Sequence, residues 1–166
     1  GDVYKRQIHY LRLSVTDLCN LRCRYCMPDG MPKLSHEDIL TYEEFLRLAA
    51  LFAQCGIDTV RITGGEPLVR RGVEQLTAGL KAIPGIRRVA LTTNGVLLDD
   101  EVMDFANREM HNVVLSLDGR KEVHDHLRKN YAGQGSYDVI VPKFQEFVRR
   151  RGNKDYYVRG TFTHNN

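Results

Sequence analysis

Cys19-Asn20-Leu21-Arg22-Cys23-Arg24-Tyr25-Cys26 carries three of the four cysteines in the chain. They stand at C-x-x-x-C-x-x-C spacing. The run before them, Tyr10-Leu11-Arg12-Leu13-Ser14-Val15-Thr16, alternates apolar and polar residues, the pattern of a strand. The cysteines therefore fall in the loop at the C-terminal end of that strand, ahead of Met27-Pro28-Asp29-Gly30. Three thiolates can hold three irons of a [4Fe–4S] cluster and leave the fourth iron open to a small molecule. A structural zinc site needs a second pair of ligands further on, and Cys55 is alone, with no histidine at finger spacing. A disulfide framework fits poorly with an odd group of three and no signal-peptide pattern.

Outward from the cysteines, strands and helices alternate. Asp29 to Leu40 is a turn-rich connection. Thr41 and Glu44 form a capping box, opening a helix that runs to about Gln54, with Phe45, Leu48, Ala49 and Phe52 on one face and Gly56 at its end. Cys55, near that end, is expected to be a small buried hydrophobe. Asp58–Thr63 is the second strand, followed at once by Gly64-Gly65-Glu66-Pro67; the glycines let the backbone approach a ligand closely. A helix over Gly72–Ile83, a strand over Arg87–Thr93 ending in Asn94-Gly95, and a helix over Asp99–Arg108 come next. The fourth strand, Asn112–Leu117, ends at Asp118-Gly119. A polar segment to Ser136 holds His124 and His126, both expected in solvent. Tyr137–Arg151 is a helix whose final arginines, Arg149 to Arg151, read as a solvated terminus, and Asp155–Phe162 is a fifth strand.

Strand-helix alternation of this kind makes an α/β fold with a parallel sheet and right-handed crossovers. Working residues in such sheets gather at the C-terminal strand ends. The cysteines, Gly64 to Glu66, Thr92 to Asn94, and Ser116 with Asp118 all fall at such ends, which points to one composite site.

Composition limits the alternatives. The chain has 166 residues, 42% of them hydrophobic and 27% charged, which suits one domain with a real core. Gly1 to Gln7 has no apolar periodicity and reads as a non-native leader, leaving 8–166 as the core domain. No apolar run approaches the roughly 20 residues of a membrane span. A reducing cytoplasm, where a thiolate-held cluster survives, is the expected location. The net charge of +3 comes from dispersed basic residues, so neither nucleic acid nor membrane is an expected partner.

The three-cysteine motif with an aromatic before its last cysteine, together with Gly64-Gly65-Glu66-Pro67 at a strand end, resembles the radical S-adenosylmethionine (SAM) superfamily. The resemblance implies a partial (β/α)6 barrel and SAM bound on the open iron. It implies one-electron cleavage of SAM to methionine and a 5′-deoxyadenosyl radical, with an electron donor such as flavodoxin or ferredoxin. It assigns Cys19, Cys23 and Cys26 to the cluster. Tyr25, Gly64, Gly65, Glu66, Thr92, Asn94, Ser116 and Asp118 become cofactor-binding candidates.

Within that superfamily, residues 9–98 resemble the GTP 3′,8-cyclases of molybdenum cofactor biosynthesis. The matching stretches include Tyr10 to Asp17, Met27-Pro28, Leu34 to Thr41, Val60 to Pro67 and Thr92 to Gly95. By this likeness Arg12 and Arg61 would contact GTP, which suits guanidinium groups facing phosphate. Residues from about 99 to 164 resemble maturases that form thioether cross-links in short cysteine-rich peptides, through Asp104 to Asn112, Ser116 to Asp125 and Tyr157 to His164. The two likenesses meet near Asn94-Gly95, so a join between two related genes is one expectation. Both families carry further cysteines for auxiliary clusters, and none follows Cys55 here. The usual barrel has six strands against five counted, so the chain reads as truncated, with an exposed sheet edge. A fragment without full turnover is the alternative to an active lyase.

Overall fold

The computed structural model describes residues 7–26 and 34–162. The expected leader, apart from Gln7, lies outside the described residues, as do Met27-Pro28 and Thr163-His164. In chain order the elements are β1 (Tyr10–Ser14), β2 (Leu21–Cys23), α1 (Tyr42–Gln54), β3 (Thr59–Thr63), α2 (Val73–Ala82), β4 (Arg88–Thr93), α3 (Asp100–Glu109), β5 (Asn112–Ser116), α4 (Lys121–Leu127), β6 (Arg128–Asn130), α5 (Tyr137–Arg151) and β7 (Tyr156–Arg159). The helix starts follow their caps. The Thr41 hydroxyl accepts from the Glu44 N–H at 3.2 Å, and the Glu44 carboxylate accepts from the Thr41 N–H at 2.7 Å. Asp99 caps α3 by accepting from the Val102 N–H at 2.9 Å.

Five strands form one parallel sheet in the order β1-β3-β4-β5-β7. Each new strand joins the same edge, so right-handed crossovers place the connecting helices on one face. That is the wall of a barrel; a doubly wound sheet reverses its strand order part-way. The strand sequences agree with it. Leu13, Val60, Ile62, Val89, Leu91, Val113 and Leu115 alternate onto the helix side, where they pack with Phe45, Leu76, Leu80, Phe144 and Phe147. Each such buried side chain contributes about 1.5–3 kcal/mol. The intervening residues face the other way and are largely polar: Arg12 and Ser14, Arg61 and Thr63, Thr92, Asn112 and Ser116. A parallel sheet covered on both faces would read as continuous apolar runs. This one has a polar inner face.

The five expected strands and four expected helices are all present, and the differences lie between them. The polar segment after Asp118 folds into α4 and β6. β6 pairs antiparallel with β2, Cys23 opposite Arg128, so this segment clips the cysteine loop. His124 is fully buried, against the expectation of a solvent position; its Nδ1 accepts from the Asp118 N–H at 3.2 Å, and its Nε2 meets the Ser136 hydroxyl at 2.9 Å. His126 is exposed, as expected. Cys55 is exposed instead of buried. α1 packs through Phe45 and Ala49, and Leu48 and Phe52 lie on the outward side of that contact. Arg151 is 3% exposed and does not belong to a solvated terminus. Its guanidinium donates to the carbonyls of Ala106 and Met110 at the end of α3, and to that of Asp155 just before β7.

Candidate functional site

The loop after β3 lies directly on the loop after β1. The Val15 N–H donates to Thr63 O at 2.9 Å, the Gly65 N–H to Thr16 O at 2.7 Å, and the Glu66 N–H to Leu18 O at 2.8 Å. The two glycines make this possible. Gly64 has φ +145°, and a Cβ at Gly65 would collide with the carbonyls of Asp17 and Leu18. The close approach foreseen for a ligand is thus made first to the entrance of the cysteine loop.

Above this junction a cleft is lined by Cys19, Cys23 and Cys26 together with Gly64, Gly65, Glu66, Thr92, Asn94, Ser116 and, unforeseen, Arg128. Thr63 and Thr93 complete it. Three sulfurs on one cleft, with no fourth cysteine near, suit a cluster that keeps one iron open. Among the described residues no three His, Cys, Asp or Glu side chains close on a single metal ion. Cysteines holding different corners of a cluster need the wider spacing. The sulfurs also receive donors: the Leu21 N–H lies 3.4 Å and the Asn94 side-chain amide 3.6 Å from Cys19 Sγ. Cys23 shares a proton with Cys26, which raises Cys23 and lowers Cys26 to about 7, while burial raises Cys19.

Three expected cofactor residues turn out to hold the site together. Glu66 points inward. Its carboxylate accepts from the Asn94 N–H at 2.6 Å, the Thr93 hydroxyl at 3.0 Å and the Leu68 N–H at 3.3 Å. Burial nevertheless pushes this carboxyl up to about 7. Asp118 is a buried hub. It accepts from Tyr25 OH at 2.8 Å, from Arg128 at 2.8 and 3.1 Å, and from the Thr161 N–H at 2.8 Å. Burial alone would raise its carboxyl; the bonds from Arg128 and Thr161 outweigh that and hold it below the usual carboxylate range. Tyr25, the third, is spent on Asp118, with its ring centroid 5.4 Å from the Arg128 guanidinium carbon. Burial, with the bond to Asp118, raises the Tyr25 phenol.

The remaining two candidates lie apart from the cleft, further down the inner face. Arg12 is exposed there. Arg61 donates to Tyr10 OH, to Leu91 O at 3.2 Å, to Thr92 Oγ1 at 3.5 Å and to Asn112 Oδ1 at 2.8 Å. Sequence reasoning missed Arg128 because its pairing with Asp118 depends on α4. The available signal was Val123 and Leu127, apolar at helical spacing inside the polar segment.

Known proteins agree with this geometry. The profile of the Radical SAM superfamily matches residues 13–159. GTP 3′,8-cyclase of Geobacter sulfurreducens is 51% identical over 118 residues, covering 70% of this chain and 36% of that protein. The enzyme of the same name from Alkaliphilus metalliredigens is 48% identical over 149 residues, covering 89% and 46%. An alignment of that length runs past Asn94-Gly95, where a join was expected. The chain thus spans less than half of either relative. Among solved structures, native anSMEcpe with bound AdoMet superimposes with a TM-score of 0.73 at 22% identity, covering 90% of this chain and 43% of that one. Streptococcus suis SuiB bound to S-adenosylmethionine gives 0.70 at 19%, covering 95% and 33%. These two share the fold. From the profile match along nearly its whole length, the chain belongs to the radical SAM superfamily.

Proposed function

We propose that this chain is the SAM-cleaving core of a GTP 3′,8-cyclase-type enzyme acting early in molybdenum cofactor biosynthesis. The observation that carries this reading is the placement of Arg12 and Arg61, side by side on the polar inner face below the cysteine cleft, in a chain about half identical to GTP 3′,8-cyclases. A [4Fe–4S] cluster with SAM would supply one-electron, radical-generating chemistry here.

The chain's own residues set the stage for that chemistry. Cys19, Cys23 and Cys26, on one cleft, would hold the cluster. Donors to the Cys19 sulfur stabilise its negative charge. Glu66 fixes Asn94, and Asn94 in turn ties Asn20 of the cysteine loop at 2.7 Å. Asp118 holds Arg128 at the cleft wall as a fixed cation. Gly64, Gly65, Thr92 and Ser116 line the space left for SAM, and Arg12 and Arg61 face the substrate. A one-electron donor such as flavodoxin or ferredoxin completes the set of partners.

A second reading, thioether formation in a cysteine-rich peptide, is favoured by the stretches Asp104 to Asn112 and Ser116 to Asp125. One experiment separates the two. The chain is reconstituted anaerobically with iron and sulfide, reduced, and followed by electron paramagnetic resonance with and without SAM, with assay for 5′-deoxyadenosine. A SAM-dependent spectral change, 5′-deoxyadenosine and binding of GTP but not of peptide are expected. Peptide binding without GTP binding would support the maturase. A cluster blind to SAM would overturn both.

A further inference from the structure

Arg12, Arg61, Ala90 and Asn112 occupy one register row across β1, β3, β4 and β5. Arg61 lies flat along that row. Its side chain passes over Ala90 and reaches Asn112 two strands away, with Nη2 2.8 Å from Oδ1. Only a small residue at position 90 leaves room for that path. All four acceptors around the guanidinium (Tyr10, Leu91, Thr92 and Asn112) are neutral. Among the described residues neither Arg12 nor Arg61 forms an ion pair. Two like charges on adjacent strands of one face repel each other.

Asn112 is the telling member of the row. It is 5% exposed, and its Nδ2 has no hydrogen-bond partner. The amide cannot turn to relieve this, because only its oxygen can accept from Arg61. An aspartate of the same shape would leave no orphaned donor and would pair with Arg61. It would also cancel the charge. The neutral amide fixes the guanidinium and leaves that charge for a ligand.

We propose that Asn112 is the positioning residue of an oxyanion site on the inner face, holding Arg61 across Ala90 so that Arg61 and Arg12 together take a phosphate group. This rests on the nucleotide reading above, which already gives Arg12 and Arg61 to GTP; what it adds is the neutral side chain that sets Arg61. The test is calorimetric titration of the chain, its Asn112→Asp variant and its Ala90→Leu variant with GTP, guanosine and inorganic tripolyphosphate. Circular dichroism monitors the fold and the SAM-dependent resonance monitors the cluster. Asn112→Asp is expected to weaken GTP and tripolyphosphate at least about tenfold, to leave guanosine and the SAM response unchanged, and to keep or raise Tm. A purely structural role would disturb all of these together. Ala90→Leu adds no charge and displaces Arg61, so it is expected to lose GTP and tripolyphosphate alike. GTP and tripolyphosphate affinities within about twofold of the parent in either folded variant would overturn the proposal. If the parent binds tripolyphosphate but not GTP, the nucleotide reading fails and the Asn112→Asp ratio for tripolyphosphate still decides the site. If it binds neither, both are wrong.

Discussion

Glu66 is 1% exposed, and its burial sets a pH dependence for the whole loop. A carboxyl raised in the folded state binds its proton more tightly folded than unfolded. Its contribution to stability is complete below the ordinary value of 4.5 and is lost as pH rises through about 7. The loss amounts to about 3 kcal/mol. His124 works in the opposite sense. Burial first, and the Arg128 charge second, hold it below its ordinary 6.5, so its contribution is complete above that value and is lost as pH falls. Denaturant unfolding of the parent and of Glu66→Gln, compared from about pH 4 to about pH 8, removes the His124 share from the difference. The parent is expected to lose stability relative to the variant across that range. A difference that does not change with pH would show that Glu66 titrates alike in the folded and the unfolded chain.

Between elements, the junction that matters is the β3 loop lying on the β1 loop. It depends on the absence of side-chain atoms at Gly65, whose backbone N–H bonds Thr16. Gly65→Ala is expected to cost about 1–3 kcal/mol, the usual range for overpacking. It should also prevent the three cysteines from holding a cluster, read as iron and sulfide content after reconstitution. Full cluster loading in a folded variant would show that the junction yields. The β2–β6 ribbon works on the same loop from the other side. Tyr131 donates to Cys19 O at 3.2 Å, and the Arg22 guanidinium carbon lies 3.8 Å from the centroid of its ring. The cysteine loop is therefore held by segments more than a hundred residues away in sequence, as well as by its neighbours.

For the molecule as a whole, the sheet among the described residues ends on β1 at one side and on β7 at the other. Every residue of β7 is exposed, and among the described residues its outer edge has no partner strand. Tyr157 is 61% exposed and Val158 55% exposed on that edge. An open, apolar edge templates further pairing. Sedimentation of the chain over a range of concentrations is expected to show association, and Val158→Lys is expected to reduce it. A chain that stays monomeric throughout would show that the edge is protected. No helix among the described residues is long and apolar enough to cross a membrane.

Local chemistry was enough for much of this. Strand alternation, the Thr41 capping box and three cysteines in one loop are short-range features, and from residues alone they gave the succession of strands and helices along the chain and a parallel sheet. What the tertiary structure decided depends on contacts between distant residues. The inward turn of Glu66, the pairing of Asp118 with Arg128, the burial of His124 and Arg151, and the reach of Arg61 across Ala90 to Asn112 are each set by register and by helix placement. A side chain's period says which face it takes. Which partner it meets there depends on the strand beside it, and that strand arrives only when the sheet closes.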